Sequence, residues 1–128
     1  MTRKRRPSRF RQTQGLGSAH EGVGHWLMQR VTAAALVPLT LWFAAALIAH
    51  ARSDYGAVVN WLRAPLTTVF MALLLIALFY HMALGLQVVI EDYVHDNRFK
   101  IPAVIAVRLG SFAFAVVGLI AVLRIAFG

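Results

Sequence analysis

The chain has 128 residues, 59% of them hydrophobic, with no cysteine and a formal charge of +8. So apolar a composition argues against a soluble domain, and the lack of thiols excludes disulfides and any iron–sulfur cluster held by this chain. Six of the thirteen basic residues fall in the first eleven positions, which points to an anionic membrane surface and not to nucleic acid.

Residues 1–25, MTRKRRPSRFRQTQGLGSAHEGVGH, are basic and Gly-rich and show no helical periodicity, so they read as a cytoplasmic arm. A signal peptide also begins with basic residues. Here the apolar run starts late, carries Gln29 and Arg30 near its start and is long enough to span, so the first helix is expected to stay in the mature protein. Apolar runs at about 26–50, 65–92 and 102–126 each reach the roughly 20 residues that a helix needs to cross a bilayer. The expected fold is therefore all-α, an integral membrane protein with three transmembrane helices in one domain, residues 26–128. Barrel strands would be shorter and would alternate.

In the first predicted helix Trp26 suits the membrane interface, and Pro38 is a possible bend. Arg30 lies about one turn inside, where its side chain can either snorkel to the headgroups or turn inward to an anion. His25, just before the helix, could help bind the same anion or be solvated. The linker that follows mixes Asp54, Gly56, Asn60 and Pro65, with only Arg52 and Arg63 as cations and with Tyr55 and Trp61 as belt residues. Six cations before the first span against two after it predict a cytoplasmic N-terminus, a periplasmic linker and a periplasmic C-terminus.

The second predicted helix contains HMALGLQVVIEDY, residues 81–93, which sets a histidine deep in an apolar run and closes that run with Asp92 and Tyr93. Eleven residues of α-helix make a little over three turns, so Asp92 returns to within roughly 20° of the His81 face, about 16 Å along the axis. Leu84, Gly85 and Val88 lie between them on that face, and the missing side chain at Gly85 leaves room for a flat group such as a porphyrin. An imidazole in hydrocarbon needs a partner for each ring nitrogen. His81 is thus a metal ligand or relay, or it is a hydrogen-bonded tie between helices. Pro102 opens the third predicted helix, Arg124 near its end snorkels outward, and Arg108 snorkels inward or pairs with Asp92, Asp96 or a cofactor carboxylate.

Two blocks, GSAHEGVGHWLMQRVTAAALVPL and HMALGLQVVIEDYVHD, together with the three-span plan, resemble the D-type hydrophobic membrane anchor subunits of succinate dehydrogenase in their alphaproteobacterial and mitochondrial-like form. The resemblance implies that His81 is an axial ligand of haem b iron, that Tyr93 lies at the ubiquinone site with Asp92 beside it, and that Arg30 and His25 meet the haem propionates. No other histidine here lies at the depth of His81, so a second, cytochrome b-type anchor subunit should supply the other ligand and complete the helical bundle. The implied complex adds an iron–sulfur subunit and a flavoprotein in a bacterial inner membrane and passes electrons from succinate to ubiquinone. This chain is not expected to oxidise succinate itself. The alternatives are a haem-b anchor of a quinol:fumarate reductase or another cytochrome b complex, or a small non-redox membrane scaffold in which His81 only ties helices.

Overall fold

A computed structural model describes residues 9–128, with side chains from Gly22 onward. The expected arm therefore lies largely outside the described side chains. The chain is all-α: α1 (Arg9–His50), α2 (Tyr55–Arg63), α3 (Pro65–Tyr93) and α4 (Asn97–Phe127). Three segments are long and apolar enough to cross a membrane: Gly22–His50, Pro65–Tyr93 and Asn97–Phe127, of 29, 29 and 31 residues.

Several helix ends differ from the sequence reading, each for a local reason. The helix of the first span begins at Arg9, well before Trp26, and runs unbroken through Pro38. There the Thr40 hydroxyl donates to the Leu36 carbonyl at 2.6 Å, a back-bond common where Thr sits inside an apolar helix. The linker expected to be irregular contains α2. Asp54 caps it, its carboxylate accepting from the Ala57 amide at 2.9 Å, and such a cap stabilises a helix by about 0.5–2 kcal/mol. Asp96 does the same for α4 through the Arg98 amide, so α4 starts at Asn97 and Pro102 falls inside it.

α3 packs against both α1 and α4. Thr32 meets His81 and Trp42 meets Phe70 across α1 and α3. Phe79 stacks on Phe114, and Gly118 faces Leu75, across α3 and α4. In each pair one number rises as the other falls, so neighbouring helices are antiparallel. At the end formed by His50 and Pro65, α2 lies against the bundle: Trp61 stacks on His50 with centroids 4.7 Å apart and reaches Trp42 at 6.0 Å. Arg63 Nε donates to the Ile125 carbonyl at 3.2 Å, tying α2 to the end of α4.

Among the described residues only Leu74, Ala77 and Leu84 are buried hydrophobics, while large apolar side chains along all three spans are exposed. Such a surface requires lipid or a partner chain.

α4 comes close to α3 at Gly118, where an added Cβ would lie 3.1 Å from Leu75 Cδ1. Gly118→Leu is expected to force α4 off α3 at an overpacking cost of about 1–3 kcal/mol. A lowered thermal transition of the purified protein in detergent checks this, and an unchanged one refutes it.

Candidate functional site

His81 sits near the middle of α3, half-buried, and its Nδ1 lies 3.1 Å from Oγ1 of Thr32 on α1. Thr32 is 7% exposed, and its hydroxyl oxygen is 2.7 Å from the Met28 carbonyl and 3.1 Å from the Gln29 carbonyl. A carbonyl can only accept, so the one hydroxyl proton points there. The oxygen must then accept from the imidazole. Nδ1 therefore carries the proton, and Nε2 is left with its lone pair. In metal sites the ligating histidine commonly donates its other N–H in this way, which fixes the tautomer and the ring orientation.

What surrounds the imidazole follows from helix geometry. At about 100° per residue, Gly85 and Tyr93 fall about 40° and 120° to one side of His81 around α3, while Leu84 and Gln87 fall about 60° and 120° to the other. Because α1 and α3 are antiparallel, the direction in which successive residues turn leads to the same side of the pair on both helices. On α1, Trp26 and Arg30 share the Gly85 side. The Arg30 guanidinium lies 5.2 Å from the Trp26 ring centroid, a cation–π contact that leans it that way.

A Cβ added at Gly85 would meet nothing within 4 Å, so the space expected beside the histidine is there. Leu84, grouped with Gly85 by spacing, is instead buried and turned to the α4 side. Asp92 and Tyr93 close α3; both are exposed, Tyr93 at 79%.

The opposite side of the α1–α3 pair is covered by α4 and holds a cleft of about 750 Å³. His25 lines this cleft, together with Gln87 and Arg108, and His81 does not. Hence, of the two residues taken together from sequence, His25 reaches this cleft and Arg30 does not line it. Arg108 finds neither aspartate nearby as its partner: Nε and Nη2 donate to Gln87 Oε1 at 3.1 and 2.8 Å, and Gln87 Nε2 donates to Glu91 Oε1 at 2.9 Å.

Two functional residues were missed from sequence. Thr32 gave no signal, since a threonine in an apolar helix can satisfy itself on its own preceding turn and nothing local reveals its register against another helix. Gln87 was visible as a polar residue in an apolar span, which could have marked it as a partner for Arg108.

A porphyrin bound through His81 requires a free ring nitrogen, open space beside it and a cation near the membrane surface. The His81 imidazole, the gap at Gly85 and Arg30 are the groups of this chain suited to those needs. Among the described residues no group of three His, Cys, Asp or Glu could hold a bare metal ion.

Comparison with known proteins places this site in context. The family of succinate dehydrogenase/fumarate reductase transmembrane subunits matches residues 2–124. The chain belongs to that family. The succinate dehydrogenase hydrophobic membrane anchor subunit of Rickettsia bellii is 39% identical over 106 residues, covering 83% of this chain and 85% of its own. That of Rickettsia conorii is 33% identical over 73% of this chain and 75% of its own. The succinate dehydrogenase membrane anchor subunit of Reclinomonas americana is 30% identical over 69% and 76%. No solved structure matches. The member described here is a multi-pass membrane protein whose three spans are all helical.

Proposed function

We propose that the chain is the hydrophobic membrane anchor subunit of a succinate dehydrogenase and that it binds haem b jointly with a second anchor subunit and forms part of the ubiquinone site. The observation that carries this reading is the His81 imidazole, with Nδ1 spent on Thr32, Nε2 left unbonded and open space one turn away at Gly85. A tie between helices needs only the first of these.

In this reading Thr32 orients the ring, and Arg30 pairs with a propionate, for which a guanidinium is well shaped. His25, which lines the cleft beside α4, is not given that role. Haem b supplies a one-electron centre when bound. Tyr93 donates its phenol hydrogen to a quinone carbonyl, and Asp92 beside it organises water or a proton for the two protons that ubiquinol formation takes up. Succinate oxidation belongs to the flavoprotein, and the electrons arrive through an iron–sulfur subunit.

Six cations precede the first span in sequence and Arg98 and Lys100 follow Tyr93, against Arg52, Arg63 and Arg124 around the opposite ends of the spans. That imbalance supports a cytoplasmic N-terminus and a periplasmic C-terminus in a bacterial inner membrane. In intact cells a membrane-impermeant thiol reagent should label Ala57→Cys and leave His95→Cys unlabelled. The reverse pattern would invert every side assignment.

The function is tested by purifying the complex through a tag on this chain. A flavoprotein and an iron–sulfur subunit should co-purify, and the reduced-minus-oxidised spectrum should show a low-spin b-type haem. A preparation without either would leave a non-redox scaffold.

A further inference from the structure

The cleft between α1, α3 and α4 has no part in the site proposed above, and its chemistry is uneven along its length. At the end near Tyr93 it presents Arg108, Gln87 and His25; from there it runs between Phe79, Val116 and their neighbours to Ile76 on α3 and Leu119 on α4. Ile76 is eleven residues from Gln87 and Leu119 eleven from Arg108, so the cleft extends about 16 Å along the helices. One leaflet contributes about half of the roughly 30 Å hydrocarbon thickness. Beginning eleven residues inside α4 and ending eight residues from its far end, the cleft passes the midplane, polar toward Tyr93 and apolar toward the other side, and at about 750 Å³ it falls within the range of sites that hold small molecules, roughly 300–1,000 Å³.

Its polar end carries a positive charge that is only partly answered. Arg108 spends two of its five N–H donors on one neutral amide oxygen. Gln87 is held in that orientation by its own donation to Glu91 and stands between the two charges. The buried His25 Nε2 in the same cleft has no hydrogen-bond partner among the described residues. A guanidinium with open donors about a third of the way into a membrane selects a phosphate or carboxylate, and the adjoining apolar groove selects one that carries a hydrocarbon tail.

We infer that this cleft is a binding site for an anionic phospholipid of the leaflet at the Tyr93 end, its phosphate on Arg108 and one acyl chain between α3 and α4. Zwitterionic lipid carries the same phosphate, but its own cation competes for it. The site therefore favours a headgroup such as phosphatidylglycerol.

The test uses the assembled complex, delipidated in mild detergent, re-exposed to phosphatidylglycerol or phosphatidylcholine and weighed by native mass spectrometry. The wild type should retain a phosphatidylglycerol that survives washing, and phosphatidylcholine should not replace it. Arg108→Gln should lower that retention about tenfold or more, as expected for a hydrogen bond to a charged group. Ala115→Trp, which fills the apolar half and leaves the charge in place, should lower it as well. A photoreactive benzoylphenylalanine at position 112, at the mouth of the cleft, should capture lipid. Equal retention in wild type and both variants, equal binding of the two lipids, displacement by inorganic phosphate alone, or capture of a polypeptide or a quinone at position 112 overturns the inference. Because the readout is bound lipid, the result is independent of whether His81 ligates haem.

Discussion

Replacing His81 by alanine should abolish the six-coordinate low-spin b-type spectrum of the purified complex. The fold itself has reason to survive. The Thr32 hydroxyl keeps its bond to the Met28 carbonyl at 2.7 Å, so no buried donor is orphaned, and His81 is only half-buried. The companion His81→Gln separates the two readings of the histidine, because an amide can restore the hydrogen bond to Thr32 but is a poor iron ligand. If His81 were only a tie between α1 and α3, the glutamine variant would be close to wild type in spectrum and assembly. If it is a ligand, both variants lose the low-spin signature. Thr32→Val should act more mildly, weakening haem retention by about 10–100-fold as loss of an outer-shell partner does, while Thr32→Ser restores it. A low-spin spectrum unchanged in His81→Ala removes this residue from the ligand set.

Tyr93→Phe should cut succinate:quinone turnover by about 10–100-fold. A hydrogen bond to a group that becomes charged is worth about 1.5–3 kcal/mol, and each 1.36 kcal/mol is tenfold in rate. Tyr93 is well placed for this: it is the last residue of α3, its side chain is 79% exposed, and it lies on the Gly85 side of His81. Interfacial tyrosines also serve simply as anchors, and that role survives loss of the hydroxyl. Haem content, assembly and succinate oxidation with a soluble artificial acceptor should therefore stay normal in Tyr93→Phe while quinone reduction falls. Wild-type quinone turnover would leave the tyrosine as an anchor only.

Much of the fold was legible because long apolar runs in a membrane admit few structures. The spans followed from hydropathy, and His81 stood out as a candidate through the cost of an imidazole in hydrocarbon. α2 was hidden by Gly56 and by the turn-like Ser53-Asp54, although Asp54 is the cap that starts it. The sidedness of the site was not legible. Spacing groups Leu84 with Gly85, but only the position of α4 decides that one is covered and the other open. The partners of His81 and Arg108 were hidden for the same reason, since Thr32 and Gln87 lie 49 and 21 residues away and belong to contacts between helices.

The few buried hydrophobic side chains, Leu74, Ala77 and Leu84, have a bearing on how the cell makes this protein. A chain with so little interior of its own depends on what surrounds it, lipid or partner, and wherever a partner covers a face the stability depends on partner concentration. Newly inserted copies that outnumber such partners would then leave those faces open to membrane proteases. Synthesis of the other subunits, more than transcription of this one, would set how much of the chain accumulates.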